Sequence, residues 1–266
     1  MKKYSTILSW RVDLTDLPHQ LFPRTRTRSS FGAATKKPGA RFKTMNLKIV
    51  EGELAVLEEI SAEFRSIKKL KGATDLFKTR NTKLLSVQPN FGASDLRWLS
   101  GIDDQSLSWF KTMFDKLKIA EQLGPGTIFY SAHFFDRKRV KASRFHVDFS
   151  GTNNGAYNIV FPLQDMSDHE FGHCLYRMKK LDATEHKLVY EYGRGYGFGD
   201  NFVHSSEPVE GREKLFFICF LCGNARMTKK QHEKAFTYIS SQTARYYNEE
   251  GTAIESDENL FDLPED

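Results

Sequence analysis

The strongest constraint on the fold lies between residues 125 and 225 of this 266-residue chain. Short runs rich in β-branched and aromatic residues alternate there with turn-forming residues, and no helical period passes through any of the runs. Seven or eight antiparallel strands of this kind predict a jelly roll or a β-sandwich. The predicted strands lie near residues 127–135, 140–149, 157–163, 173–179, 186–192, 197–204 and 213–222.

Helices are predicted on both sides of this strand region. In two segments before it, apolar residues recur at three- and four-residue steps, which is the period of an amphipathic helix. Asp104 fits the N-cap of the second helix and Gly124 its end, while Thr228 and Gln231 fit a capping box for a third helix that Gly251 follows. The predicted helices cover residues 52–70, 104–123 and 229–249, and further strands are predicted over 4–12 and 83–88.

These elements predict a mainly β protein of the α+β class, with helices packed as a buttress on the outer sheet of a jelly roll. A chain of 266 residues can bury its core as one large domain, and no internal repeat divides it. We therefore expect a single domain. Its predicted parts are an N-terminal helical and extended support (1–124), the jelly-roll core (125–225), a C-terminal helix (226–250) and an acidic tail (251–266).

The distribution of charge points to one basic segment. The chain has a net charge of +5, and the residues between Asp16 and Glu51 include no acid. The basic part of this stretch, residues 24–48, is interpreted as a solvated loop, as a lid over an anionic ligand or docked acidic peptide, or as a nucleic-acid contact. Because it lacks an interleaved aromatic platform, we do not expect nucleic acid as a partner.

Cysteine usage and apolar runs bear on the cellular compartment. Three cysteines imply no disulfide framework, and Cys219 and Cys222 sit in an apolar run as two small core residues. The longest apolar run, Leu215 to Cys222, is too short to cross a bilayer, and no signal peptide is evident at the start. We expect a reducing, cytoplasmic location and no membrane partner.

A His-x-Asp sequence inside the strand region indicates a metal site. Residues at i and i+2 of a strand share one face, so His146 and Asp148 point the same way. If a second strand brings His204 across from them, two imidazoles and one carboxylate cover one face of a metal ion. That is the facial triad suited to non-haem Fe(II), with the opposite face open for ligands.

The order of these parts over residues 125–225 resembles the Fe(II)/2-oxoglutarate-dependent oxygenases, whose fold is a double-stranded β-helix. The second half is similar to their prolyl-hydroxylase-like branch. The resemblance implies that His146, Asp148 and His204 hold the iron. The matching pieces are His146-Val-Asp148, Tyr157 to Leu163, Gly172-His-Cys-Leu175, Gly195 to His204, and His204 to Arg212 leading into Leu215 to Phe220.

The same resemblance implies roles around the co-substrate. A basic residue after the distal histidine would pair with the far carboxylate of 2-oxoglutarate, and Arg212 and Lys214 are the candidates, on the same face of one strand. Arg212 is preferred, because a guanidinium fork matches a carboxylate at two points. Asn158 occupies a position where the family often places a polar side chain against the co-substrate.

The implied function is a dioxygenase that uses Fe(II), 2-oxoglutarate and O₂ to oxidise a C–H bond, most simply by hydroxylation. 2-Oxoglutarate would leave as succinate and CO₂. Asp148 argues against a halogenase, which in this family lacks that ligand, whereas desaturation and ring formation stay open. We expect a small amino-acid-like substrate, since no appended recognition domain is evident, and the basic segment would suit an acidic one. A protein side chain is the second choice.

A second metal motif supports a different class of enzyme. His169, Glu170 and His173 match H-E-x-x-H, which on a helix binds zinc for peptide hydrolysis, and Glu191 would offer a third ligand. The preceding residues, 164–168, are polar and predict a loop, in which the two histidines do not aim at one metal. A zinc metallopeptidase and a jelly-roll binding module without turnover therefore remain alternatives from other classes.

Overall fold

The structure, a computed structural model, describes residues 46–69, 76–87, 95–178 and 181–256. The first half of this part holds β1 (Leu47–Glu51), α1 (Leu54–Arg65), β2 (Lys68–Lys69), β3 (Leu76–Lys78), β4 (Lys83–Val87), β5 (Asp95–Gly101), α2 (Asp104–Lys116) and α3 (Ile119–Leu123). The second half holds β6 (Thr127–Val140), β7 (Tyr157–Pro162), β8 (Cys174–Arg177), β9 (His186–Leu188), β10 (Arg194–Phe198), β11 (Val203–Ser206), β12 (Val209–Asn224), α4 (Lys229–Ser240), β13 (Arg245–Tyr247) and β14 (Ala253–Glu255).

The strands up to β12 form two sheets, and β13 and β14 pair as a separate two-stranded sheet. The large sheet has the order β1-β10-β7-β12-β6-β5-β4-β3-β2 and the small sheet the order β11-β8-β9, with His146 bridged to β11. From β6 onward the chain passes between them in turn: β6 large, His146 small, β7 large, β8 and β9 small, β10 large, β11 small, β12 large. This alternation confirms the predicted jelly roll of the double-stranded β-helix type.

Helices cover the outer face of the large sheet, as predicted. Phe64 of α1 and Phe110 of α2 lie 4.8 Å and 5.4 Å, ring centre to ring centre, from Phe134 of β6. Phe114 lies 5.9 Å from Phe220 of β12. Each buried phenylalanine contributes about 1.5–3 kcal/mol relative to an exposed one. Because successive strand residues alternate between faces, the next residues of β6 and β12 face the small sheet instead.

Two predicted strands take a different form at the crossings between the sheets. The strand predicted over 140–149 is absent, because β6 runs on to Val140 and the chain then leaves the large sheet, forming only the isolated bridge at His146. The strand predicted over 197–204 is split into β10 and β11 by a turn at residues 199–202. Asp200 fixes this turn by accepting hydrogen bonds from the backbone N–H groups of Asn153 and Asn154 at 2.7 Å and 3.0 Å.

The predicted helices are shorter than their sequence patterns. The helix predicted over 52–70 is α1, ending at Arg65, and the one predicted over 104–123 breaks at Lys118, whose φ of 53° is left-handed. The helix predicted over 229–249 ends at Ser240, because polar residues with low helix propensity follow and β13 then pairs with β14. Gly251 accordingly lies in the β13–β14 turn, with a φ of 79°.

The helix caps agree with the sequence in one case and differ by one residue in another. Asp103, not Asp104, caps α2, its side chain accepting a hydrogen bond from the Ser106 N–H at 2.9 Å. At α4 the capping box of Thr228 and Gln231 is present, with the Thr228 N–H donating to Gln231 Oε1 at 2.8 Å.

Several predictions fall on other parts of the chain. The strand predicted over 4–12, the basic segment up to residue 45, Gln88 and the tail from residue 257 lie outside the described residues. The first part of the predicted acidic tail contains β14. The division of residues 1–266 into a support, a core, a helix and a tail stays a prediction. Among the described helices, none combines the length and the apolar character that a membrane crossing requires.

Candidate metal centre

Three side chains predicted as metal ligands lie together at the mouth between the two sheets. One ligand atom from each of His146, Asp148 and His204 lies within 4.8 Å of the others. His146 Nε2 is 3.5 Å from Asp148 Oδ1, and His204 Nε2 is 3.7 Å from Asp148 Oδ2. Within the described ranges this is the one group of three or more such residues with that spacing.

Backbone pairing holds the two imidazoles side by side. His146 and His204 exchange two backbone hydrogen bonds, N–H to carbonyl, at 2.9 Å each, as an antiparallel bridge. Their ring centres are consequently 4.5 Å apart, and Phe198 of β10 stacks on the His204 ring at 4.5 Å. One bridge of the small sheet therefore brings together two residues that are 58 positions apart in the sequence.

Each imidazole is held with the same nitrogen toward the carboxylate. His146 Nδ1 lies 2.8 Å from the carbonyl of Arg144, and His204 Nδ1 lies 3.1 Å from the carbonyl of Phe202. A carbonyl accepts hydrogen bonds only, so Nδ1 donates in both rings and the lone pair belongs to Nε2. Both lone pairs then converge on Asp148. Such outer hydrogen bonds are how proteins orient histidine ligands of metals.

Asp148 is buried with one oxygen satisfied and one without a hydrogen-bond partner. Asn158 Nδ2 donates to its Oδ2 at 3.2 Å, whereas Oδ1 is enclosed and accepts no hydrogen bond. Burial, with the Asp148 carboxylate nearby, raises the pKa of Tyr238 well above its ordinary value, so α4 sets a neutral phenol beside the site. Phe149 follows with a φ of 49°, a strained conformation for a bulky residue.

The two histidines differ in their access to water. The His146 side chain is 56% exposed, whereas that of His204 is 10% exposed. Burial lowers the pKa of His204, against the raising influence of Asp148, and this favours the neutral imidazole that a metal needs. The triad therefore opens to solvent on the side of His146.

A cavity of about 420 Å³ extends from the triad between the sheets. All three triad residues line it, together with residues from both strands of the central pair, β6 and β12. Its walls are mostly apolar and aromatic. Besides the triad, the buried charged or polar side chains of the wall include His133 and Arg137 of β6, Asn158 of β7 and Ser205 of β11.

Arg137 is a buried cation in this cavity. It is 1% exposed, and its guanidinium lies 4.8 Å from the centre of the Phe217 ring. One Nη2 hydrogen bond reaches the His173 carbonyl at 3.4 Å, and Nε has no partner. Among the described residues no carboxylate lies within ion-pairing distance of it. Burial lowers the pKa of Arg137, while Tyr190, Cys174 and the Glu207 carboxylate, which is not within ion-pairing distance, act in the opposite direction.

The other side chains predicted to bind 2-oxoglutarate occupy different places. Lys214 is not brought to the cavity: its Nζ lies 3.8 Å from Asp136 Oδ2, on the helix-covered face of the large sheet. Arg212 belongs to β12, in a stretch where the pairing with β6 is irregular, and its side chain lies outside the described set. Asn158 lines the cavity but donates to Asp148. The roles predicted for Arg212 and Asn158 stay predictions.

The residues of the H-E-x-x-H motif do not form a metal site. Residues 166–173 lie in turns and bends, so the helical geometry of a zinc peptidase is absent from this described segment. His173 uses both ring nitrogens, Nε2 with the His169 carbonyl at 2.8 Å and Nδ1 with the Tyr190 N–H at 3.1 Å. Glu191 pairs with Arg194 at 2.6 Å. The loop predicted here is thus what the chain forms.

Sequence reasoning missed Arg137, His133 and Tyr238. Arg137 and His133 alternate with Phe135 on one face of β6, which is the period-2 signal of a shared face. That signal was hidden because Arg137 stands in the charged run Asp136 to Arg139, which has the appearance of a solvated strand end. Tyr238 stands in an amphipathic helix, and nothing local relates it to Asp148.

Comparisons with known proteins find likeness at the level of structure. No family model matches the chain, and no curated protein does. Solved structures of similar fold include HygX from Streptomyces hygroscopicus with nickel and 2-oxoglutarate bound (11% identity, TM-score 0.46, 69% of this chain and 84% of that chain). A non-haem monooxygenase, the ThoJ–Ni complex, has 18% identity and a TM-score of 0.45, covering 71% of this chain and 77% of that one.

A prolyl-4-hydroxylase from Pseudomonas putida is also similar, with 14% identity and a TM-score of 0.41 over 68% of this chain and 94% of that chain. At these identities and scores the likeness concerns the fold, and the chemistry of this chain has to be argued from its own residues.

Proposed function

We propose that this protein is an Fe(II)- and 2-oxoglutarate-dependent dioxygenase that hydroxylates a C–H bond of a small molecule. The balanced reaction is R–H + O₂ + 2-oxoglutarate → R–OH + succinate + CO₂. One observation carries the proposal: a two-histidine, one-carboxylate triad shares a single cavity with a buried arginine that has no acidic partner among the described residues.

The donor set of the triad fits Fe(II). Two neutral imidazoles and one carboxylate on one face of an ion leave its remaining positions open, which is the arrangement of non-haem Fe(II) oxygenases. The enclosed Oδ1 of Asp148, which accepts no hydrogen bond, is satisfied when a cation lies between the three side chains. Bound iron would supply the activation of O₂, and His146, Asp148 and His204 would hold it in place.

The burial of Arg137 supports a dicarboxylate as co-substrate. A buried charge without a partner costs several kcal/mol, so a site of this kind favours an anion that enters the cavity. The far carboxylate of 2-oxoglutarate would satisfy the guanidinium at two points, and its 2-oxo acid end would face the metal. The Phe217 ring against Arg137 restricts the access of water to this pair.

Arg137 replaces Lys214 in this assignment, and Arg212 remains the alternative. Lys214 Nζ lies near Asp136, which also forms a hydrogen bond with Arg97 Nε at 3.0 Å. The contact with Asp136 holds Lys214 on the face of the sheet that points away from the cavity. Asn158 is proposed to orient the Asp148 carboxylate, on the basis of its 3.2 Å hydrogen bond. A contact between Asn158 and the co-substrate remains compatible with its unpartnered Oδ1.

The proposal is tested with protein purified anaerobically. The wild type should bind one Fe(II) and form succinate from 2-oxoglutarate, slowly without substrate. His204→Ala should lose both properties, whereas His169→Ala, on the loop of the zinc motif, should keep them. Zinc that is lost in His169→Ala supports a peptidase instead. No metal in the wild type supports a binding module, and either result contradicts the proposal.

A further inference from the structure

The cavity has a wall that neither the metal nor the co-substrate uses. This wall lies on β5 and β6, where Leu96 and Trp98 of β5 pair across from Arg137 and Phe135 of β6. Val140 and Phe145 continue it toward the opening. Phe145 is fixed there by the guanidinium of Arg177, which lies 3.7 Å from its ring centre. The wall therefore presents a continuous apolar and aromatic surface beside the triad.

The charges around the cavity limit what this surface can bind. Of the described residues that line it, Asp148 is the sole acid, and the proposed function commits Asp148 to the metal. An ammonium group in the cavity would have no counter-ion among these described residues. Burying an unpaired charge is unfavourable. The lining thus disfavours a free amino acid.

One polar side chain interrupts the apolar wall. His133 is 2% exposed, lies edge-on to Trp98 at 6.2 Å between ring centres, and has no hydrogen-bond partner at Nδ1. Burial lowers the pKa of His133 to about 4, so its ring is neutral near pH 7. A neutral imidazole offers one donor and one acceptor, and a buried polar group without a partner is rare unless a ligand or water completes it.

We propose that this wall is the substrate subsite and that it takes an uncharged molecule. The substrate would place an aromatic or branched aliphatic group against Trp98 and a neutral amide or hydroxyl group within hydrogen-bonding reach of His133. The inference rests on the proposed function and deepens it. It replaces the amino-acid-like metabolite expected from the sequence with a neutral molecule. The cavity volume of about 420 Å³ lies toward the small end of ligand pockets, about 300–1,000 Å³, and suits a compact substrate.

Matched pairs of compounds that differ in charge test the inference. Hydrocinnamamide is compared with phenylalanine, and isocaproamide with leucine, as stimulators of succinate formation by the iron-loaded enzyme. The amides should act with an apparent KM at least about a hundredfold below that of the amino acids, because the ammonium cannot be paired. Preference for the amino acids, or no response to either amide, overturns the inference. Lack of iron binding and of uncoupled succinate formation contradicts the proposed function instead.

Variants of His133 test the polar contact separately. His133→Phe should raise the apparent KM for hydrocinnamamide about tenfold while leaving that for propylbenzene, which lacks the amide, unchanged. His133→Asn, which restores a hydrogen-bonding group, should recover part of the loss. The Kd for 2-oxoglutarate should stay near wild type in both variants. Equal effects of His133→Phe on the two compounds overturn the assigned contact.

Discussion

Asp136 and Arg137 are adjacent in β6, are both buried, and carry opposite charges, yet their surroundings differ. Asp136 faces the helix-covered side of the large sheet and pairs with Arg97, with Lys214 Nζ also at 3.8 Å. Arg137 faces the cavity, and no acid within the described ranges pairs with it. One buried charge is thus ion-paired within the fold through one carboxylate oxygen, whereas for the other we propose a ligand as the partner.

The contrast separates residues that stabilise the fold from residues for which we propose a role in binding. The helix-covered face is filled by phenylalanines around Phe134, and its buried charge is neutralised by partners on neighbouring strands. The cavity face has four described side chains with a buried polar atom that lacks a partner, at His133, Arg137, Asp148 and Asn158, whereas Asp136 Oδ1 is such an atom on the helix-covered face. Buried polar groups are normally hydrogen-bonded, so a cluster of exceptions on one face marks the place where ligands are expected.

The largest difference between the two faces is expected when one buried aspartate on each face is replaced by asparagine. Asp148→Asn removes the charged metal ligand and should weaken iron binding by more than about a hundredfold, since even outer partners of metal ligands are worth 10–100-fold. Succinate formation should fall to background. Asp136→Asn should keep iron and activity but lower the free energy of unfolding by about 2 kcal/mol. Metal analysis and chemical denaturation measure both. Iron retained by Asp148→Asn contradicts the assignment.

The two arginines should show a reciprocal pattern. Arg137→Leu should weaken the binding free energy of 2-oxoglutarate by about 2–5 kcal/mol, which is the range for the loss of one partner of a buried ion pair. Without ligand its unfolding free energy should not fall, because an unpaired buried charge is removed. Arg97→Leu should leave the Kd for 2-oxoglutarate unchanged. It should destabilise the fold by about 3 kcal/mol, because the buried carboxylate of Asp136 loses its ion-pair partner. Titration calorimetry and urea denaturation give the two quantities.

If Arg137→Leu leaves 2-oxoglutarate binding intact, the co-substrate is anchored elsewhere. Arg212→Leu is then the variant to measure, because the sequence resemblance assigns that role to Arg212. A loss of affinity confined to Arg212→Leu would contradict the present assignment of Arg137 while keeping the metal site.

The neutral imidazole of His133 should make stability depend on pH. Burial lowers the pKa of His133 from 6.5 in the unfolded chain to about 4, so the unfolded state binds a proton first as pH falls. Stability contributed by this group is full above pH 6.5 and should be lost between pH 6.5 and 4, by on the order of 3 kcal/mol. His133→Phe should flatten this slope in urea denaturation. A slope equal to that of the wild type contradicts the burial of a neutral ring.

The smallest effect is expected at the zinc motif. Glu170 is exposed, and its loop contains no metal site among the described residues. Glu170→Gln should therefore change stability by less than about 0.5 kcal/mol and leave iron content and succinate formation unchanged. Loss of a hydrolytic activity in this variant would favour the peptidase alternative.

The sequence predicted the parts of the site that follow from short-range geometry. His146 and Asp148 lie close together, as their i, i+2 spacing predicted, although the strand assumed for them is reduced to a bridge at His146. The capping box of Thr228 specified the start of α4. The sheet crossings were misjudged, because the runs before His146 and His204 look like continuous strands. The turn at Asp200 and the single bridge at His146 arise because the chain crosses there between the large and the small sheet, which the local sequence does not indicate.

The missed residues depend on contacts that are distant in sequence. Arg137 is buried because the loop at Gly172 covers it. Gly172 has a φ of 89°, a backbone conformation that favours glycine, and a Cβ there would also contact Leu215 Cδ1. Nothing in the run Asp136 to Arg139 indicates that two of its four charges, Asp136 and Arg137, are enclosed. Lys214 likewise faces Asp136 because of the register of β12, which the spacing from His204 does not determine.

The most direct test of the account is a titration of the anaerobic Fe(II) protein with 2-oxoglutarate, followed by the visible charge-transfer absorption of a metal-chelated 2-oxo acid. The wild type should show a saturable band at one equivalent of iron per chain. Arg137→Leu should reach the same band only at much higher 2-oxoglutarate, and Asp148→Asn should show none. A wild type without the band, or an Asp148→Asn variant that titrates like it, would contradict the convergence of these residues on one ferrous site.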